Sequence, residues 1–284
     1  MNFSRACLLF SCPDRSGIIA EVARFFSDRN INILTLEQHS EDEFFFVRIE
    51  WDNIENIFSD TEFEKAFSSV TKKFGGQFRM HFFSQKQTLG LFVSKEPHAL
   101  LEILAKYEMN EFPNLEISFL VSNDKNSEVF ATRYGIPFFY ISTNNRASFD
   151  YEEEQLKVIK KFNPQYIGLA RYMKILSADF IEKASCPIIN IHHSFLPAFV
   201  GANPYEMAYT KGVKLVGATS HFVIPELDQG PIIDQDVTRV LSGDSVEKFK
   251  CMGRDTEKRV FAQALKKVLE HKVIVYKGRT IIFE

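Results

Sequence analysis

No stretch of this 284-residue chain approaches the roughly 20 consecutive apolar residues that a membrane helix needs, so a helical membrane span is excluded. The apolar start Ala6-Cys7-Leu8-Leu9-Phe10 is short and runs at once into Pro13-Asp14-Arg15, which is no signal peptide, and a cytoplasmic protein is expected. Charge of one sign is missing too. Thirty-four Lys and Arg against 37 Asp and Glu leave a net charge of −3, which argues against a nucleic-acid binder. Four cysteines (Cys7, Cys12, Cys186, Cys251) show no C-x-x-C spacing and read as reduced, mostly buried thiols. His192 and His193 are adjacent and lack a third ligand at zinc spacing, so no metal is expected. Ser94 and Ser194 lack a G-x-S-x-G elbow, which weakens a serine hydrolase. Tandem repeats and low-complexity tracts do not stand out, and Asn2-Phe3-Ser4 matches a glycosylation acceptor by chance.

What is there is a globular composition, 45% hydrophobic and 25% charged, with 29 Phe at strand and helix core positions. The length suits one large or two modest domains. Residues 1 to about 84 form one pattern. Arg5 to Ser11 is strand-like, and the turn Cys12-Pro13-Asp14-Arg15-Ser16-Gly17 leads to Ile18, Val22, Phe25 and Phe26 at helical spacing. Strands follow at Ile31–Gln38 and over 45–51, with Ser40-Glu41-Asp42 as their turn. Ser59-Asp60-Thr61-Glu62 reads as a capping box for a helix ending near Gly75-Gly76, and Phe78, Met80 and Phe82 alternate in a last strand. The order βαββαβ is ferredoxin-like.

From about residue 88 to 284, after a linker at Gln85-Lys86-Gln87, strands and helices alternate. Strands are expected at Leu89–Val93, Leu115–Ser122, Phe138–Ile141 and Tyr166–Ala170, with helices near 97–107, 126–134 and 151–162. This is the pattern of an open, doubly wound, mostly parallel sheet, whose ligands bind at strand carboxyl ends. Cys186-Pro187-Ile188-Ile189-Asn190-Ile191 is a short buried strand leading into His192-His193-Ser194-Phe195-Leu196-Pro197. Alternation puts Asn190 and His192 on one side, with Ile191 and His193 on the other. Longer strands over 214–223 and 232–240 flank Leu227-Asp228-Gln229-Gly230-Pro231, a tight turn able to aim a carboxylate. A helix over 245–271 and a hairpin turning at Lys277-Gly278 complete the chain. An amide beside an imidazole at a strand end suits acyl chemistry: the amide donates to an oxyanion, and the imidazole moves a proton.

The run Asn190-Ile191-His192-His193-Ser194-Phe195-Leu196-Pro197, then Gly217-Ala218-Thr219-Ser220-His221-Phe222-Val223, then Leu227–Ile233, resembles the folate-dependent formyltransferase family. Further matching stretches are Ser94–Leu101, Leu169–Ser177, Gly201–Tyr205 and Gly253-Arg254-Asp255. The first 84 residues, with Asp14 to Gly17 and Asn30-Ile31-Asn32-Ile33, resemble an ACT domain, although Ser16 stands where a Pro is usual. The resemblance implies an α/β chain: an ACT domain, then a formyltransferase-like doubly wound sheet. It assigns catalysis to Asn190, His192 and Asp228, and folate binding to Met173-Lys174-Ile175-Leu176 on one side and to the loop from Val223 to Asp228, with Val223 and Leu227, on the other. His221 supports them, and His39, His81, His98 and His271 are left as non-catalytic.

Family members that formylate glycinamide ribonucleotide carry a Gly-rich loop for its phosphate. Here that place reads Phe92-Val93-Ser94-Lys95-Glu96-Pro97-His98, with no Gly, an acidic residue and a Pro lacking an N–H. The resemblance therefore implies water as acceptor and hydrolysis of 10-formyltetrahydrofolate to tetrahydrofolate and formate. Such a reaction supplies formate for purine synthesis and balances the one-carbon pool, with folate as substrate and no cofactor. Transfer to an amine acceptor and a non-catalytic folate or amino-acid sensor stay as alternatives. Asp14, Ser16, Gly17 and Asn32 are the candidate residues for an amino-acid effector, glycine or methionine. Such domains pair, so a homo-oligomer is expected, with no nucleic-acid or membrane partner.

Overall fold

The computed structural model describes residues 5–52, 60–198, 204–241 and 243–284. Asn2-Phe3-Ser4, Ser59 of the expected capping box and Gly201-Ala202-Asn203 lie outside the described residues. The chain divides into two units: Met1–Lys86 with Glu270–Ile274 and Ile281–Glu284, and Gln87–Leu269 with Val275–Thr280.

The first unit runs β1 (Arg5–Pro13), α1 (Ile18–Ser27), β2 (Ile33–Glu41), β3 (Phe44–Asp52), α2 (Asp60–Phe74) and β4 (Gln77–Phe82). Its antiparallel sheet has the order β2-β3-β1-β4, the ferredoxin-like arrangement. Ile18, Val22, Phe25 and Phe26 of α1 and Phe63, Phe67 and Val70 of α2 bury against Leu8, Phe10, Val47 and Trp51. A fully buried Phe contributes about 1.5–3 kcal/mol, so the abundance of Phe is a packing feature. Arg48 is buried too, but its guanidinium meets Glu50, Glu37 and the carbonyls of Glu270 and His271. The β2–β3 turn is not Ser40-Glu41-Asp42. Pairing runs on to Glu41 and Phe44, and the two turn residues are Asp42 (φ 50) and Glu43 (φ 65). That left-handed pair matches the twist of the flanking strands.

The second unit continues with β5 (Gln87–Val93), α3 (His98–Glu108), β6 (Leu115–Ser122), α4 (Glu128–Arg133), β7 (Phe138–Tyr140), α5 (Ser148–Phe162), β8 (Tyr166–Ala170), α6 (Ala178–Ala184), β9 (Ile188–His192), α7 (Pro204–Thr210), β10 (Leu215–Phe222), β11 (Ile232–Arg239) and α8 (Val246–Leu269). The sheet order is β11-β10-β9-β8-β5-β6-β7, parallel from β9 to β7 and antiparallel at β10 and β11. One face takes α8, which also packs on α3, and the other takes α5 and α6. The expected helix at 126–134 begins as a 3-10 turn (Lys125–Ser127). Gln87 is not linker: it opens β5, buried, and its side-chain amide donates to the carbonyls of Pro113 and Leu269. β12 (Val273–Tyr276) and β13 (Arg279–Ile282) close the chain through Lys277 and Gly278, both at positive φ. Cys7 and Cys12 are buried and Cys186 half-buried, but Cys251 is exposed. Among the described residues, no helix is long and apolar enough to cross a membrane.

Candidate active site

β8 and β9 run side by side with Leu169 next to Asn190, and β10 lies antiparallel beyond, with His221 opposite Asn190. The C-terminal end of β9 and the end of β10 thus bring an amide and two imidazoles together. Asp228 comes from the turn after β10. It holds a left-handed φ of 56, which Asp tolerates better than most residues. Gly230 fixes that turn: a Cβ there would lie 1.7 Å from the Phe222 carbonyl oxygen, so only glycine allows the approach. The Phe222 N–H in turn donates to the Pro231 carbonyl at 2.9 Å.

Asp228 Oδ2 is 3.3 Å from His192 Nδ1, and Oδ1 is 3.7 Å from His221 Nε2. Burial pushes the Asp228 carboxyl up, but hydrogen bonds from both imidazoles outweigh it and hold the group well below its ordinary 3.8. The His221 Nδ1–H donates to the Phe222 carbonyl at 2.9 Å, because a carbonyl can only accept. His221 Nε2 stands between Asp228 and Asn190, 3.3 Å from the Asn190 Nδ2, and the second amide N–H is left for the cavity. His192 is 6% exposed, yet its Nε2 has no hydrogen-bond partner. A buried ring nitrogen left open is unusual enough to need an explanation.

All these groups line one cavity of about 360 Å³, the size of a small-molecule site. Met173, Lys174, Ile175 and Leu176 form one wall, and Val223 and Leu227 stand on the other side. Ile175 is 67% exposed, Leu227 53% and Met173 49%, a rim of apolar surface suited to a flat aromatic ligand. The 173–176 loop is tied at both ends. Met173 N donates to Ser94 Oγ at 3.0 Å, and Ser177 gives its N–H and Oγ–H to buried Glu152 at 2.8 and 2.6 Å. His193 was expected to face away, but it also lines the cavity, its ring 5.0 Å from that of His192. The strand ends at His192, so alternation no longer governs the next residue.

The effector candidates lie in the other unit. Gly17 (φ 90) caps α1 with no side-chain hydrogen bond, and Asp14, Ser16 and Asn32 are exposed. Four residues escaped functional reading: Arg171, Tyr205, Glu257 and His98. Arg171 guanidinium and His98 imidazole converge on the Glu257 carboxylate, at 3.2 and 2.9 Å, and Tyr205 donates to it at 2.5 Å. Burial pushes Glu257 up, but His98 and Arg171 overcome it and keep the carboxyl below its ordinary value. The available signals were weak: an Arg just past a strand, and a Glu inside a helix that reads as solvated. Among the described residues no group of three or more His, Cys, Asp or Glu is arranged to hold a metal ion.

A formyl transferase model matches residues 89–265, and an ACT domain model matches residues 8–52. Fold and site thus define a formyl transferase domain carried behind an ACT domain. The chain is 41% identical to a formyltetrahydrofolate deformylase of Bacillus subtilis over 99% of its own length and 95% of that protein. The crystal structure of a formyltetrahydrofolate deformylase from Pseudomonas syringae superposes with a TM-score of 0.94 at 35% identity, covering 99% of this chain and 94% of that one. A glycinamide ribonucleotide transformylase from Symbiobacterium toebii matches at TM-score 0.66 and 25% identity, covering 70% of this chain and 95% of that one. The chain belongs to the formyltetrahydrofolate deformylase family.

Proposed function

We propose that the protein hydrolyses 10-formyltetrahydrofolate to tetrahydrofolate and formate. The observation that carries this reading is the open Nε2 of His192, buried beside an amide donor and an ionised carboxylate in a cavity with an apolar rim. The pterin lies between the 173–176 loop and Val223 to Leu227, presenting the N10-formyl group to Asn190, His192 and Asp228.

Asp228, held as a carboxylate, orients the attacking water and the His192 ring. Water oxygen adds to the formyl carbon, and the carbonyl electrons move to oxygen, where the free Asn190 N–H donates to the oxyanion. His192 Nε2 takes the water proton and returns it to N10 as the carbon–nitrogen bond breaks. Formic acid then leaves as formate and a proton. A strongly depressed carboxylate is a weak base, so Asp228 steers the proton and His192 carries it.

In the same reading the ACT unit takes an amino acid, glycine or methionine, at the uncapped start of α1, and pairing of such units makes a homo-oligomer. The formate released serves purine synthesis in the cytoplasm. The decisive experiment is incubation of the purified chain with 10-formyltetrahydrofolate and no amine. Stoichiometric formate and tetrahydrofolate are expected, and product appearing only when an amine is added would overturn hydrolysis.

A further inference from the structure

Arg171 follows the last residue of β8, level with His192 in the β8–β9 register. By strand alternation its side chain would follow Leu169 toward α5, and Tyr172 would point toward α8. The reverse is seen: Tyr172 accepts from Gln155 of α5, while Arg171 meets Glu257 of α8. The left-handed φ of Arg171, 63, makes this swap, a conformation non-glycine residues adopt rarely. The result is a guanidinium only 9% exposed. Its Nε lies 3.2 Å from Glu257 as an ion pair without a hydrogen bond, and a terminal nitrogen donates to Glu96 at 3.3 Å. Glu257 is saturated by Tyr205 and His98, so the assembly is anchored on α3, α7 and α8 together. The His193 ring, 6.1 Å from Tyr205 and 5.0 Å from His192, joins this assembly to the catalytic groups.

In the hydrolase reading the folate takes the apolar wall, which leaves an acceptor the part of the cavity that Arg171 lines. Its NH1 is buried and without a hydrogen-bond partner. The guanidinium fills volume that an amine acceptor would need. It is also a poor anion site: two carboxylates already face the one guanidinium, and Glu96 is 46% exposed, so an anionic acceptor meets a negative entrance. Water alone needs neither charge nor volume.

Resting on the hydrolase reading above, we propose that Arg171, locked by Glu257 and Glu96, is the residue that determines acceptor specificity. It occupies the approach an amine would use and so reserves the formyl group for water. With Arg171 shortened, an amine nitrogen bonds to the formyl carbon, the bond to N10 breaks, and the amine's proton ends on N10.

The test is a partition experiment with 10-formyltetrahydrofolate and hydroxylamine, an uncharged nucleophile at neutral pH. Formohydroxamate and formate are both measured, and the uncatalysed background is subtracted. Wild type is expected to give formate almost alone, and Arg171→Ala a formohydroxamate-to-formate ratio at least about tenfold higher. An unchanged ratio in folded Arg171→Ala overturns the proposal. So does a wild type that already partitions to hydroxylamine like the variant, or a folded variant that makes neither product. Should Arg171→Ala fail to fold, Glu96→Gln on its exposed loop carries the test, because it releases one of the two carboxylates that hold the guanidinium. The ratio must rise there as well, and no rise overturns the proposal. Failure of the hydrolase reading shows separately, as wild type that forms no formate without hydroxylamine, and the proposal then falls with it.

Discussion

Asp228→Asn separates charge from shape at the centre of the site. Asn tolerates the left-handed backbone about as well as Asp, so the turn over Gly230 should survive. What changes is the partner of His192 Nδ1. The carboxylate demands an N–H there and leaves Nε2 to face the substrate. An amide can present its own N–H to Nδ1 and reverse the tautomer. In carboxylate–imidazole pairs of the serine-protease kind this exchange costs ~10⁴ in kcat. At 1.36 kcal/mol per decade that is about 5.4 kcal/mol of transition-state stabilisation. The assay is formate release under saturating 10-formyltetrahydrofolate, with folate affinity followed by intrinsic fluorescence. The expected result is a kcat lowered by ~10⁴ with affinity changed less than about threefold, because the apolar walls are untouched. A kcat within about tenfold of wild type, only ~1.4 kcal/mol, would show that Asp228 neither sets the imidazole tautomer nor steers the water. Stability supplies a second check. The folded pKa lies below the ordinary 3.8, so the carboxylate's contribution is present above that value and lost as pH falls through the folded pKa. The variant should therefore melt lower than wild type at pH 7, and the gap should close only in strong acid.

Four further outcomes are expected. Asn190→Ala should lower kcat by ~10²–10³, the usual loss of one oxyanion donor, and a change confined to KM would make Asn190 a ground-state contact instead. Gly230→Ala should cost activity and lower the melting temperature together. Its Cβ displaces the Phe222 carbonyl that anchors His221, and full activity in this variant would refute the close packing as a positioning device. Because Asp228 stays ionised far below neutrality, any acid limb in the rate between about pH 5 and 8 should belong to an imidazole. A limb that persists unmoved in each of His192→Gln, His193→Gln and His221→Gln would contradict this. Glycine or methionine added to the full chain should alter formate release in wild type and not in Asp14→Ala, and absence of both binding and effect for either amino acid would remove the effector reading.

The features that were legible in the chain are those governed by repeating geometry. The runs Leu115–Ser122 and Tyr166–Ala170 became strands with the bounds expected, because Ile, Leu, Val and Phe dominate strands that are buried on both faces. Asn190 and His192 could be put on one side because both lie within β9. The Asp228 turn was readable because Asp before Gln-Gly-Pro has few other conformations open to it. Gln87 was misread as linker because its polarity is answered by the carbonyls of Pro113 and Leu269, the latter 182 residues away in sequence. No local pattern records a partner so distant.

The misses at the site share a different cause. Alternation holds only while the hydrogen-bonded ladder continues, and ligands in this kind of sheet bind just where it stops. His193 stands one residue past β9 and turns into the cavity instead of away from it. Arg171 stands one residue past β8, and a single positive φ sends its guanidinium to α8 while Tyr172 takes the place expected of it. Arg is not a residue whose type announces a left-handed conformation, as Gly or Asn would. Only the waiting carboxylate of Glu257, 86 positions further on, gives that conformation something to gain. Backbone strain of this kind persists where surrounding contacts over-determine it. Here those contacts are one buried carboxylate, one exposed one, and a tyrosine and a histidine that leave Glu257 no other arrangement.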